Sequence, residues 1–124
     1  MIDIKNYDTQ NIFAKIIRKE IPSEKIYENE SVYAFKDINP QAPVHILVVP
    51  KKNFCSFDDF TQNADNKTIL EFFKSMKKII KNQKLTNGYR IISNIGSDGG
   101  QEVPHLHFHI LGGKPLGRLM DPNI

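Results

Sequence analysis

Three of the chain's four histidines fall in one five-residue run, His105-Leu106-His107-Phe108-His109, and Ile110 and Leu111 follow it. Side chains of an extended strand alternate between faces. The three imidazoles therefore share one face, and Leu106, Phe108 and Ile110 share the other. Successive histidines in the row are roughly 6.5–7 Å apart at Cα. An imidazole near neutral pH can attack, donate or accept. Three readings fit the row. In the first, one histidine is a nucleophile while its neighbours contact charge and fix geometry. In the second, histidines at i and i+2 ligate zinc with His45, and Asp98 and Glu102 are close in sequence. In the third, the row is an inert surface strand.

Other candidates surround the row. The loop Gly96-Ser97-Asp98-Gly99-Gly100-Gln101 leads into it. Alone, this loop reads as an ordinary turn. Beside three histidines it reads as a phosphate cradle, because glycines let backbone N–H groups approach an anion closely. Asp37, next to Ile38, would accept hydrogen bonds from the hydroxyls of a sugar or close an Asx turn. His45 opens a strand, where a lone histidine is usually structural. Phe13, Ile16 and Ile21 are core residues by default and would also suit a slot for a base. The lysine-rich face at 74, 77, 78 and 81 is a solvated surface or meets an acidic partner.

The elements that position these residues follow from periodicity. Ile12, Phe13, Ile16 and Ile17 recur at helical spacing, capped by Thr9 or Asn11 and stopped at Pro22. Residues 25–28 and 32–36 read as a hairpin, and 37–43 as a loop stiffened by Pro40 and Pro43. Residues 44–49 form a β-rich apolar run that ends at Pro50. Residues 53–66 read as loop. Ile69, Phe72, Phe73, Met76 and Ile80 form one helical stripe, with Thr68 and Glu71 as a capping box or Asp65 or Asn66 as the cap. Asn87-Gly88 is a turn, 89–95 a strand, and 103–111 the histidine strand that Gly112-Gly113 breaks. This order predicts an α+β domain with an antiparallel sheet.

Bulk properties narrow the function. The length of 124 residues suits one domain, and 40% hydrophobic with 25% charged residues argues against disorder. A net charge of +3 fits an anionic ligand and is too weak to indicate nucleic acid. Cys55 is the only cysteine, so no internal disulfide or multi-thiolate metal site can form. Residues 1–10 carry charges and no apolar segment of the signal-peptide kind. No apolar run approaches the ~20 residues of a membrane span. These features predict a cytoplasmic protein.

The run from His105 to Leu111 matches the pattern His-φ-His-φ-His-φ-φ, with φ apolar. Four further blocks accompany it in order: Phe13-Ala-Lys-Ile-Ile-Arg-Lys-Glu-Ile-Pro22, Phe35-Lys-Asp-Ile-Asn-Pro-Gln-Ala-Pro43, His45-Ile-Leu-Val-Val-Pro-Lys-Lys52 and Gly96-Ser-Asp-Gly-Gly-Gln-Glu-Val103. With the tail Gly112-Gly-Lys-Pro-Leu-Gly117, they span residues 11–117. The chain thereby resembles the histidine triad (HIT) superfamily and, within it, the bacterial type of the Hint branch, the histidine triad nucleotide-binding proteins. The resemblance implies a single HIT domain over 1–124, with its core at 11–117 and a tail at 118–124. It also implies an α+β, HIT-like fold with an antiparallel sheet of about five strands per protomer and two helices. The sheet would continue across a homodimer.

The implied activity is hydrolysis of purine nucleoside 5′-phosphoramidates, such as adenosine 5′-phosphoramidate to AMP and an amine, with AMP or GMP as bound nucleotide. By residue matching, His107 is the nucleophile and becomes a nucleotidyl-histidine. His105 orients the row. His109 and the Gly100–Gln101 backbone stabilise the charged oxygens. His45 belongs to the same catalytic set. Asp37 holds the ribose hydroxyls, with Ile38 against sugar and base. Asn94, Gly100, Gln101, Glu102 and His109 line the phosphate. Phe13, Ile16, Ile21 and Phe35 surround the base. No cofactor is required, zinc would be adventitious, and neither nucleic acid nor membrane is a partner. The alternatives are a dinucleoside polyphosphate hydrolase of the same superfamily and a non-catalytic nucleotide-binding or scaffold protein. Glu102 stands where animal members carry serine, Pro104 replaces a common aromatic, and the tail lacks a tryptophan.

Overall fold

The computed structural model describes residues 1–120, so the end of the expected tail, 121–124, lies outside the described residues. Five strands form one antiparallel sheet: β1 (Lys25–Glu28), β2 (Val32–Lys36), β3 (Val44–Pro50), β4 (Tyr89–Ile92) and β5 (Phe108–Gly112), in the order β1-β2-β3-β5-β4. Among the described residues three helices accompany them, where two were expected: α1 (Ile12–Ile17), α2 (Phe57–Asn63) and α3 (Asn66–Asn82). The expected α+β fold with its antiparallel sheet is present. Among the described residues no helix is long and apolar enough to cross a membrane.

Alternation along the central strands gives the sheet two different faces. Val32, Ala34, Ile46, Val48, Phe108 and Ile110 point to one face and pack with Phe72, Met76, Ile79 and Ile80 of α3 and Phe60 of α2. Each large apolar side chain fully buried there contributes roughly 1.5–3 kcal/mol. Tyr33, Phe35, Leu47 and Val49 point to the other face and pack with Phe13 and Ile16 of α1. His45 and His109 lie on this second face: His45 pairs with Leu111 and Leu47 with His109, so the two imidazoles are diagonal neighbours.

Helix ends resolve the capping alternatives. Asn11 caps α1 by accepting from the Ala14 N–H, and Asp65 caps α3 by accepting from Thr68 N–H at 2.7 Å. Thr68 and Glu71 form no capping box. Four further expectations are corrected. Residues 57–63, read as loop, form α2, because Ser56 accepts from Asp59 N–H while Asp59 Oδ2 accepts from Cys55 N–H. The histidine strand begins at Phe108 rather than 103: Pro104 lacks an N–H, and Leu106 N–H goes to Phe54 O of a loop. The strand expected over 89–95 stops at Ile92, just before Ser93 turns its hydroxyl to the His107 carbonyl. Phe73 leaves the buried stripe and is 40% exposed.

Candidate functional site

A cavity of about 310 Å³ opens on the second face of the sheet. Strands β3 and β5 supply His45, Leu47 and His109, α1 supplies Phe13, and the approach to β5 supplies Glu102, Val103 and His107. Asp37, Asn39, Gln41, Asn94 and Gly100 complete its wall. A larger cavity, about 680 Å³, lies at the far end of the sheet between Lys84, Arg90 and Lys114 and contains no histidine.

Hydrogen bonding fixes the proton on each imidazole of the triad. A carbonyl only accepts, so His107 Nδ1 carries a proton and donates to His105 O at 2.7 Å. His107 Nε2 then holds a lone pair and meets no hydrogen-bond partner among the described residues. His105 Nε2 donates to Pro50 O at 2.8 Å, which makes its Nδ1 the acceptor of the Tyr7 hydroxyl. Gln41 N–H donates to His45 Nδ1 at 3.0 Å, so His45 Nε2 bears the proton and donates to His109 Nδ1 at 2.8 Å. His109 is thereby left with a protonated Nε2, a donor on the cavity wall. Phe13 presents an edge-on contact to the His107 ring, with centroids 4.8 Å apart.

Electrostatics keep these rings neutral near pH 7. Burial lowers His107, opposed by its bond to the His105 carbonyl and by the carboxylates of Asp37 and Glu102. Burial chiefly pushes His105 and His109 down to about 4 each. His45 is lowered by burial as well, against the pull of Asp37. A neutral His107 with its lone pair on Nε2 is the nucleophilic form of imidazole.

The site departs from the expected row in several places. His105 is completely buried and does not line the cavity; it supports His107 from behind with its carbonyl. Gly100 N–H donates to Ser97 O and Gln101 N–H to Gly96 O, so this part of the expected phosphate cradle is already paired. Gln101 is buried, its side chain clasping Gly96 N–H, Cys55 O and Val103 O. It holds the loop and stays out of the cavity wall. A Cβ at Gly99 would meet Ile95 O at 2.3 Å, so the turn needs glycine there. Glu102 N–H, by contrast, has no acceptor among the described residues.

Asp37 forms the Asx turn weighed for it, its Oδ1 accepting from Asn39 N–H at 2.8 Å, and also reaches the cavity. Ile38 is 88% exposed and stands away from the wall. Ile16 and Phe35 are buried in the apolar cluster behind Phe13, with Ile21 partly buried against it, so only Phe13 of this group reaches the cavity. Asn39, Gln41, Leu47 and Val103 are cavity residues that pattern did not single out. Tyr7 and Ser93 are supports that it did not single out either.

Asp37, His45 and His109 bring one potential ligand atom each within 4.8 Å of one another. The donor set is right for zinc in type, but the proton pattern opposes it. A metal here needs a lone pair on His45 Nε2. That would put the proton on His45 Nδ1, facing the Gln41 N–H.

Comparison with known proteins identifies relatives along most of the chain. The HIT domain family matches residues 18–116. A purine nucleoside phosphoramidase of Escherichia coli (strain K12) is 41% identical over 112 residues, 90% of this chain and 93% of that protein. A HIT-like protein of Azospirillum brasilense is 46% identical over 117 residues, 94% of this chain and 96% of that one. Among solved structures, a histidine triad protein from Clostridium difficile superposes with a TM-score of 0.81 at 45% identity, over 93% of this chain and 100% of that chain. These matches cover most of the sequence, and on them the chain belongs to the HIT domain family.

Proposed function

We propose that this chain is a nucleotide hydrolase that cleaves the P–N bond of purine nucleoside 5′-phosphoramidates through a covalent intermediate on His107. One observation carries the reading: the His107 Nδ1–H is bound to His105 O at 2.7 Å, which leaves Nε2 unprotonated beside the cavity. The likeness to the E. coli phosphoramidase supports the choice of substrate. Nε2 attacks phosphorus, the P–N bond breaks, and the amine leaves with a proton taken from solvent. The new imidazolium keeps its Nδ1–H on the His105 carbonyl. Water then attacks phosphorus and gives a proton back to solvent, the P–Nε2 bond breaks, and the nucleoside monophosphate departs.

His109 Nε2–H, held outward by His45, and Glu102 N–H are the donors that suit the phosphoryl oxygens. Asp37 accepts from ribose hydroxyls at the cavity wall, and Asn94 flanks the phosphate. Phe13 offers an apolar face to the base, backed by Ile16, Ile21 and Phe35. Phosphoryl chemistry of this kind needs positioning and electrostatics more than bond-making by the protein. We place AMP and GMP as its nucleotide ligands. A homodimer fits the exposed Tyr89 and Ile91 on edge strand β4.

Side-by-side turnover of adenosine 5′-phosphoramidate and a diadenosine polyphosphate tests the assignment. Faster release of AMP from the phosphoramidate is expected, unchanged by chelator. Preference for the polyphosphate would make the chain the other hydrolase type. Saturable AMP binding with no turnover of either would make it a binding protein.

A further inference from the structure

We infer that Tyr7 is a positioning residue for the His107 nucleophile, acting through the ring and carbonyl of His105. This rests on the reading of His107 given above. Tyr7 lies 98 residues from His105, in an N-terminal stretch with no helix or strand. Its hydroxyl stands 2.5 Å from His105 Nδ1, and the two rings meet edge-on with centroids 5.5 Å apart. Because the Pro50 carbonyl claims the proton on His105 Nε2, Nδ1 has only a lone pair to offer, and Tyr7 must donate.

The position of the His105 carbonyl decides where His107 points, yet no ladder holds it. Residues 103–107 precede β5 and lack strand pairing. Side-chain and loop ties replace it. Leu106 N–H donates to Phe54 O at 2.8 Å, Ser93 Oγ donates to His107 O at 2.8 Å, and the His105 ring is tied at both nitrogens, to Pro50 and to Tyr7. His105 is 0% exposed with Tyr7 in place, and no other donor among the described residues meets Nδ1. A buried acceptor without a donor is costly, and the ring relieves it by rotating or changing tautomer. Either movement shifts the carbonyl that orients His107.

The N-terminal stretch is also tied to the other side of the nucleophile. Asp8 O accepts from the N–H and Nδ2 of Asn11, and Asn11 caps α1. That helix carries Phe13, whose ring touches His107 edge-on. Residues 7–13 thus grip the triad twice, by Tyr7 behind His105 and by Phe13 beside His107.

The test compares wild type with Tyr7→Phe, which keeps the ring and removes the hydroxyl. In long-range ¹H–¹⁵N spectra of the imidazoles, wild type should show one tautomer for each ring, Nε2–H for His105 and Nδ1–H for His107. A protected Tyr7 hydroxyl proton should show a cross-peak to the His105 ring. In Tyr7→Phe the His105 Nδ1 resonance should move to that of a free acceptor, and His107 should show mixed tautomers. With adenosine 5′-phosphoramidate, kcat should fall about tenfold while KM stays within about twofold. Unchanged His107 resonances in the variant, or no Tyr7–His105 cross-peak in wild type, would overturn the inference. The spectra need no turnover and no folded variant for the cross-peak. A wild type that shows the expected tautomers but fails to hydrolyse the substrate would therefore count against the proposed reaction and not against Tyr7.

Discussion

The two faces of the sheet are made from the same strands and are built to opposite rules. On the α3 side, Ile46, Val48, Phe108 and Ile110 meet Phe72 and Met76 in an apolar cluster. On the α1 side, the residues one position away, His45, Leu47 and His109, combine imidazoles with apolar packing, and the cavity opens beside them. Alternation along a strand lets one face carry the stability while its neighbours carry the chemistry. The price of the second face is burial of titratable rings, and it is met by pairing their nitrogens with Pro50 O, His105 O, Gln41 N–H and Tyr7.

If the faces are divided in this way, substitutions should separate activity from stability. The largest effect belongs to His107→Ala, which should reduce kcat by roughly 10⁴-fold or more while AMP still binds. Steady-state kinetics with isothermal titration of AMP checks it, and its melting temperature should move little. Phe72→Ala on the opposite face should do the reverse. It should cost about 3–5 kcal/mol of stability in urea unfolding, with near-normal kcat per folded molecule.

The pH dependence sharpens the contrast further. Folded His105 and His109 are held down to about 4, against an ordinary value of 6.5. The unfolded chain therefore takes up protons first. Stability from these rings is fully present above about pH 6.5 and is lost as pH falls towards 4. For His105 alone the loss is on the order of 3 kcal/mol. Unfolding curves at stepped pH should show this acid loss, most of it between about 6.5 and 4. The smallest effect is expected at Asp65→Ala, which removes the α3 cap and should cost about 1 kcal/mol with activity intact.

The sequence revealed the α3 face more fully than the cavity face. Phe72, Met76 and Ile80 declare themselves by helical spacing, and β3 by its run of apolar residues. His107 and the alternation of Leu106, Phe108 and Ile110 were legible because a period of two needs only neighbours in sequence. The short α2 was not legible: it buries only Phe60, and one buried residue makes no period. Nor was the late start of the histidine strand, which depends on Leu106 choosing the Phe54 carbonyl over the sheet. Tyr7, and the loop-holding role of Gln101, escaped for a related reason. Their roles come from partners brought together by folding, and spacing carries no trace of a contact across 98 residues. The Gly-rich loop misled in one respect: glycines there permit its turn, while the Gly100 and Gln101 N–H groups close it internally.

Rapid quenching of the protein with adenosine 5′-phosphoramidate, followed by peptide mass spectrometry, tests the nucleophile most directly. An acid-labile adenylyl group is expected on the peptide that contains His107, absent in His107→Ala. Steady turnover with no adduct at any quench time, or an adduct on a different residue, would contradict the assignment of His107.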